Sequence, residues 1–209
     1  MVHTIDHMSE AEGPILRAMF EARKRVFVDL LKWDVPVLAG TWEIDHFDNP
    51  DATYLVVTDG GEGHMASARL LKTTDAHILA DLYPALVDGE VPRGHDVYEI
   101  TRFCLDRSLR AGERRRARDC LVLALADYAL CHGIRRYTGV AEIGWFEQIM
   151  EFGWHCEGLG PPQMIGGSVL SALQITIEAN TPALLASRGI GAAPPSRPAR
   201  PARTTELSA

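Results

Sequence analysis

The chain is poor in the groups that metal, disulfide and membrane chemistry need. Its four cysteines, Cys104, Cys120, Cys131 and Cys156, are scattered and include no C-x-x-C pair. That spacing excludes a zinc ribbon or dithiol motif and reads as reduced, mostly buried thiols of a cytoplasmic protein. The eight histidines are dispersed as well, and no metal site is expected. No apolar run approaches the roughly 18 residues of a membrane span. The opening residues, MVHTIDHMSEAEG, lack an apolar signal core, which argues against secretion. Basic residues are in the minority, 21 against 28 acidic ones, for a net charge of −7. That balance argues against general nucleic-acid binding.

What is present is the composition of a soluble globular protein, 46% hydrophobic and 23% charged over 209 residues. One domain over residues 1–188 accounts for it. Residues 189–209, almost all Ala, Pro, Arg and small polar types, read as a disordered tail. The most informative stretch is VYEITRFCLD, residues 97–106. It reads as a strand, yet it carries Glu99 and Arg102, charges that an interior strand should not hold. An arginine run follows: Arg107, Arg110, Arg114, Arg115, Arg116 and Arg118 against a single acid, Glu113. A solvated helix face is the bland explanation of such a run. Its place, opening a helix directly after a strand, favours phosphate instead, through free N–H groups, the helix dipole and bidentate arginine contacts.

Taken in order, Ser9 with Glu12 fits a capping box and Pro14 a first helical turn. Leu16, Met19, Phe20, Phe27, Leu30 and Leu31 then follow helical spacing. Arg23 falls on the same stripe, either as a snorkelling arginine at the core edge or as a charge aimed inward. Residues 32–52 form a long loop with Trp33, Trp42 and three close acids, Glu43, Asp45 and Asp48, expected to fold over something. Residues 53–58 and 65–71 make a hairpin, with Arg69 in its second strand. A short helix is expected over residues 80–86. The helix after the arginine run extends to His132, apolar nearly all round, and ends at Gly133. A strand over 136–141, a helix over 144–152, a short strand over 154–157 and a long strand over 164–177, bent at Gly166 and Gly167, follow. A short helix over 182–187 closes the fold. The order predicts a three-layer α-β-α sandwich with a mixed central sheet.

Strand, phosphate-binding loop and helix in this order resemble the GNAT-like acyltransferase fold. More specific are Arg23, Phe27 and Trp33 in R-x-x-x-F-x-x-x-x-x-W, Asp45 and Asp48 in EIDHFD, Arg69 in ARLL, and Glu99 and Arg102 in YEITRF. Together, over roughly residues 15 to 180, they resemble the acyl-homoserine-lactone synthases, the LuxI-type autoinducer synthases of bacterial quorum sensing. The resemblance implies an acyltransferase that joins S-adenosylmethionine to an acyl thioester on acyl carrier protein or coenzyme A. Both are substrates, and no separate cofactor is implied. It implies Glu99 and Arg102 as catalytic residues and Arg23, Phe27, Trp33, Asp45, Asp48, Arg69 and Thr101 as the S-adenosylmethionine site. An acyl pocket is expected at Leu121, Leu125, Ala141, Trp145 and Ile149, and donor docking at Arg110, Arg114, Arg115 and Arg116. It also implies that two parallel strands splay to admit the pantetheine arm.

Chemistry is consistent with these roles. Aromatic faces suit a sulfonium or an adenine ring, and Glu99 suits proton abstraction, through a water. The charges have a second explanation, one buried ion-pair network that shapes the site without touching substrate. Glu99 and Arg102 are three apart, so only a bulge lets both face one cleft. Tyr83 and Thr101 stand where this family usually has phenylalanine and serine. Ala141 stands where members making 3-oxoacyl products often have threonine, which counts against a 3-oxo preference. Two other functions compete: an N-acetyltransferase acting on another amine, and a non-catalytic acyl-carrier or nucleotide sensor on the same fold.

Overall fold

The unbroken apolar run of β4 (Thr53–Thr58) is buried on both faces, as a strand covered by helices on each side must be. Tyr54 and Val56 face one layer and Leu55 and Val57 the other. The computed structural model describes residues 1–6 and 12–191. Around β4 the sheet runs in the order β1 (Val2–Ile5), β4, β5 (His64–Lys72), β6 (Val97–Leu105), β7 (Arg136–Glu142), β10 (Ser168–Thr176), β8 (His155–Gly158). The short β9 (Gln163–Ile165) also pairs with β10. The pairing of β6 with β7 is parallel and every other neighbour is antiparallel. The long crossover that a parallel pair needs is α3 (Ala111–His132), closed by Gly133 in the left-handed region at φ +68°.

One face of the sheet carries α3, α4 (Ile143–Met150) and α5 (Thr181–Ser187). Their contribution to the larger core includes Leu121, Leu125, Ile149 and Leu185. The other face carries α1 (Gly13–Arg23), whose Leu16, Met19 and Phe20 pack on Ile5, Tyr54 and Val56. The short α2 (Ile78–Leu82) lies on this face too, through Leu79 against Val140 and Ala172. This is the three-layer mixed-sheet arrangement expected from the element order.

Several expectations are corrected. The single strand over 164–177 is two antiparallel strands, β9 and β10, because Gly166 and Gly167 both take positive φ (59° and 89°) and reverse the chain. The helix over 80–86 is α2 followed by one tight turn at Pro84–Leu86, since proline cannot continue a helical ladder. Leu30 and Leu31 are not on the buried stripe of the first helix; both are exposed. The chain continues past Arg23 as π-helical turns over Lys24–Leu30, and their wider i→i+5 spacing rotates the stripe away from the core. Of the four cysteines only Cys104 is buried, and Cys131, on the solvent side of the last turn of α3, is exposed. Helix α3 buries one face, not its whole circumference; Leu130 is exposed. Arg23 does not snorkel and is 1% exposed.

Strand β1 lies in a segment given no element in the sequence, and the two-residue hairpin of β2 (Val37–Leu38) and β3 (Trp42–Glu43) lies in the segment expected to be a long loop. Both are too short to show periodicity and are specified by the partners they pair with. Ser9 and most of the C-terminal tail lie outside the described residues. Among the described residues no helix is long and apolar enough to cross a membrane.

Candidate active site

Strand β6 begins in register with both neighbours and loses it midway. On the β5 side, Arg69 pairs with Thr101 but Ser67 pairs with Cys104. Arg102 and Phe103 therefore oppose the single residue Ala68, and Arg102 takes a φ of +51°. This is the bulge that Glu99 and Arg102 need if both are to face one cleft. It turns Thr101 and Arg102 together toward the α1 side, which Glu99 also faces. Phe103 goes to the opposite side, where its ring lies 5.1 Å from that of Trp145. Toward β7, the ladder joins only Val97–Glu99 to Arg136–Thr138. Past that point β6 and β7 part. A Cβ at Gly139 would lie 3.2 Å from the Ile100 carbonyl oxygen, so the backbones approach closely just where they begin to diverge.

On the α1 face six charges close into a ring. Arg23 pairs with Glu43 (2.5 Å), Glu43 with Arg102 (3.0 Å), Arg102 with Asp45 (2.7 Å), Asp45 with Arg69 (2.6 Å), Arg69 with Asp48 (2.9 Å) and Asp48 with Arg23 (2.8 Å). Each carboxylate bridges two guanidiniums, so three positive and three negative charges are buried with none unpaired. Four elements supply them: α1, β3 with the turn after it, β5 and β6. The turn is shaped by its own side chains, since Asp48 accepts from the Asp45 N–H and Asp45 from the Phe47 N–H. Tyr54 donates its hydroxyl to Asp48, and Arg69 donates to the Thr101 hydroxyl oxygen at 2.9 Å. Burial opposes the charge of Asp48, but hydrogen bonds and charge from Arg23, then Arg69, outweigh it and hold the carboxyl well below the usual range. Asp45 is lowered in the same way by Arg69 and Arg102.

Arg102 and Asp45 are the least buried members, at 10% and 7% side-chain exposure. Over Arg102 lie the rings of Phe27 and Trp33, stacked on each other at 4.7 Å and 11°. The Arg102 guanidinium sits 5.7 Å and 5.9 Å from their centroids, at cation–π range. The seven residues assigned to S-adenosylmethionine thus converge on one locality. Glu43, counted among the loop acids but not among the site candidates, belongs there equally. Its signal was its place among three close acids, Glu43, Asp45 and Asp48, in one loop.

Glu99 stands apart from the ring. Its carboxylate accepts from the N–H groups of Ile78 (2.7 Å) and Leu79 (2.8 Å), at the opening of α2. Burial pushes its pKa up to about 7, against the opposing pull of those two N–H groups and of Arg69. It is a fully buried carboxyl able to change protonation near neutrality, the property of a general base.

Leu121, Leu125, Ala141, Trp145 and Ile149 all belong to the one apolar cluster between α3, α4 and the sheet. The docking arginines divide. Arg110, Arg115 and Arg116 are exposed around the start of α3. Arg114 instead folds back and donates to the carbonyls of Leu105 and Asp106 (3.3 and 3.2 Å), fixing the end of β6. Among the described residues no group of three or more histidines, cysteines or carboxylates is placed to hold a metal.

A family model described as autoinducer synthase matches residues 7–182. The acyl-homoserine-lactone synthase of Ralstonia solanacearum is 31% identical over 182 residues, covering 85% of this chain and 89% of that protein. Among solved structures, TofI in a ternary complex with an inhibitor and MTA aligns with a TM-score of 0.76 at 27% identity, over 89% of this chain and 96% of its own. The CoA-dependent synthase BjaI, solved with SAM and isopentyl-CoA, aligns with a TM-score of 0.82 at 23% identity, over 91% and 90%, a likeness of fold. On a family match that spans most of its length and a relative above 30% identity, this chain of GNAT-like fold belongs to the autoinducer synthases, the acyl-homoserine-lactone synthase family of acyltransferases.

Proposed function

We propose that this synthase acylates the amine of S-adenosylmethionine from an acyl thioester, on acyl carrier protein or coenzyme A, and then closes the product to a lactone. The observation that carries the reading is the Arg102 bulge. It sets Glu99, Thr101 and Arg102 on one face of β6, beside the parting of β6 and β7, with Arg102 under the Phe27–Trp33 stack. The sulfonium and adenine bind against Phe27 and Trp33, with Asp45 and Arg102 at the rim for the ammonium and carboxylate. Arg23, Glu43, Asp48, Arg69 and Thr101 hold that rim in place from beneath. The acyl chain enters between the parted strands toward Leu121, Leu125, Ala141, Trp145 and Ile149. Its carrier sits on Arg110, Arg115 and Arg116.

The amine loses a proton toward Glu99 as its nitrogen bonds to the thioester carbon, and the carbon–sulfur bond breaks with the proton delivered to the departing thiol. The carboxylate oxygen then attacks the carbon bonded to the sulfonium. A carbon–oxygen bond forms, a carbon–sulfur bond breaks, and methylthioadenosine leaves with the electron pair. The relatives' ligands support this order of parts: BjaI binds SAM and isopentyl-CoA and TofI binds MTA. The reaction as written needs no separate cofactor, and both substrates place it in the cytoplasm. Incubation with S-adenosylmethionine and a panel of acyl thioesters, read by mass spectrometry, should yield acyl-homoserine lactone and methylthioadenosine in equal amounts. No methylthioadenosine from any donor would overturn the reading.

A further inference from the structure

We propose that Thr138 is a positioning residue for the proton transfer: its hydroxyl, with the Glu99 carboxylate, holds the water through which the attacking amine gives up its proton. The proposal rests on the reading of Glu99 as the base. Thr138 is 0% exposed, and among the described residues its hydroxyl has no hydrogen-bond partner. Buried hydroxyls are almost always bonded, so an orphan here marks a place prepared for a polar guest. Thr138 is the direct neighbour of Glu99 in the parallel ladder, in the last pair before β6 and β7 part.

The two side chains share a face. Tyr98 and Tyr137, one residue before each, turn to the α3 side, and Tyr137 donates its hydroxyl to the Leu125 carbonyl there. Glu99 turns to α2, and Val140, two residues after Thr138, packs with Leu79 of α2. Adjacent strands lie about 4.8 Å apart, which places the hydroxyl and the carboxylate within reach of one bridging water. Each Glu99 oxygen uses one lone pair on a backbone N–H and keeps another. The charged groups acting most on Glu99 are Arg69 from β5 and Asp81 from α2; its register partner on β7 is the uncharged Thr138. The water accepts the amine proton as the nitrogen–carbon bond forms and passes one of its own to Glu99, which returns it to the departing sulfur.

Thr138→Val keeps the shape and removes the hydroxyl, and Thr138→Ser keeps the hydroxyl. Steady-state kinetics across pH, with melting curves and Glu99→Gln alongside, test the idea. Thr138→Val is expected to lower kcat roughly tenfold, with the KM of both substrates unchanged. It should also move the acidic limb of the kcat profile to higher pH, because the carboxylate loses a donor. Thr138→Ser should restore both. A folded Thr138→Val with wild-type kcat and acidic limb overturns the proposal; if valine does not fold, a Thr138→Ala variant with that behaviour does so. Slow Glu99→Gln beside unaffected Thr138→Val sinks the role of Thr138 alone, whereas a fully active Glu99→Gln sinks the base assignment beneath it.

Discussion

Glu99 satisfies two N–H groups at the start of α2, and in the proposed reaction the same carboxylate takes a proton. Glu99→Gln should therefore cut kcat by about 10²-fold or more while the KM for S-adenosylmethionine stays within a few-fold. The same residue makes a stability prediction. Its folded pKa, about 7, lies above the reference 4.5, so between those values the folded state binds more protons and stability falls as pH rises. Relative to Glu99→Gln, the wild type should lose unfolding free energy progressively from pH 5 to pH 8, by at most about 3 kcal/mol. Parallel melting curves check this. The ring makes a separate prediction. Arg23→Met leaves Glu43 and Asp48 partly unpaired in full burial, which costs roughly 3–5 kcal/mol. Arg102→Met, at the rim, should cost distinctly less in urea unfolding yet abolish more activity.

The elements show why the site forms where it does. One residue too many in β6 relative to β5 puts Arg102 under the aromatic stack and Phe103 on the opposite face. The π-helical turns after α1 bring Phe27 and Trp33 face to face, with the Trp33 N–H donating to the Phe27 carbonyl at 2.8 Å. Gly139 lies against the Ile100 carbonyl where β6 and β7 diverge. Gly139→Val would force the strands apart there, since its γ carbons add to a Cβ contact already tight. The expected outcome is a rise in the KM for the acyl donor and a fall in kcat, with the KM for S-adenosylmethionine less affected.

Across the whole molecule, charge is arranged by position rather than by sum. The net charge is −7, yet exposed Arg110, Arg115 and Arg116 collect at the start of α3, on the side where β6 and β7 are parted. Arg114 is the wrong residue to change in this group, because it holds the end of β6. Replacing Arg110, Arg115 and Arg116 together by glutamate should raise the donor KM by tenfold or so, about 1.4 kcal/mol, and leave that for S-adenosylmethionine unchanged. Added salt should raise the wild-type donor KM and affect the triple variant little. An unchanged donor KM would make these arginines an ordinary solvated surface.

Much of this was legible in the chain itself. Buried β4, the 22-residue α3 with its glycine stop, and the charged residues set into apolar strands all have local signatures, because hydrophobic period and turn chemistry are local. The three-residue spacing of Glu99 and Arg102 shows that only a bulge could turn both to one cleft, and it does not say whether the strand has one. Local pattern cannot say which charges pair. Arg23 has the same appearance in sequence whether it snorkels or is buried, and only the convergence of α1, β3, β5 and β6 closes it into a ring with Glu43 and Asp48. The π-helical turns, the left-handed Arg102 and the orphan hydroxyl of Thr138 are likewise products of assembly. None of them has a local pattern in the sequence, since each depends on residues brought together from separate elements.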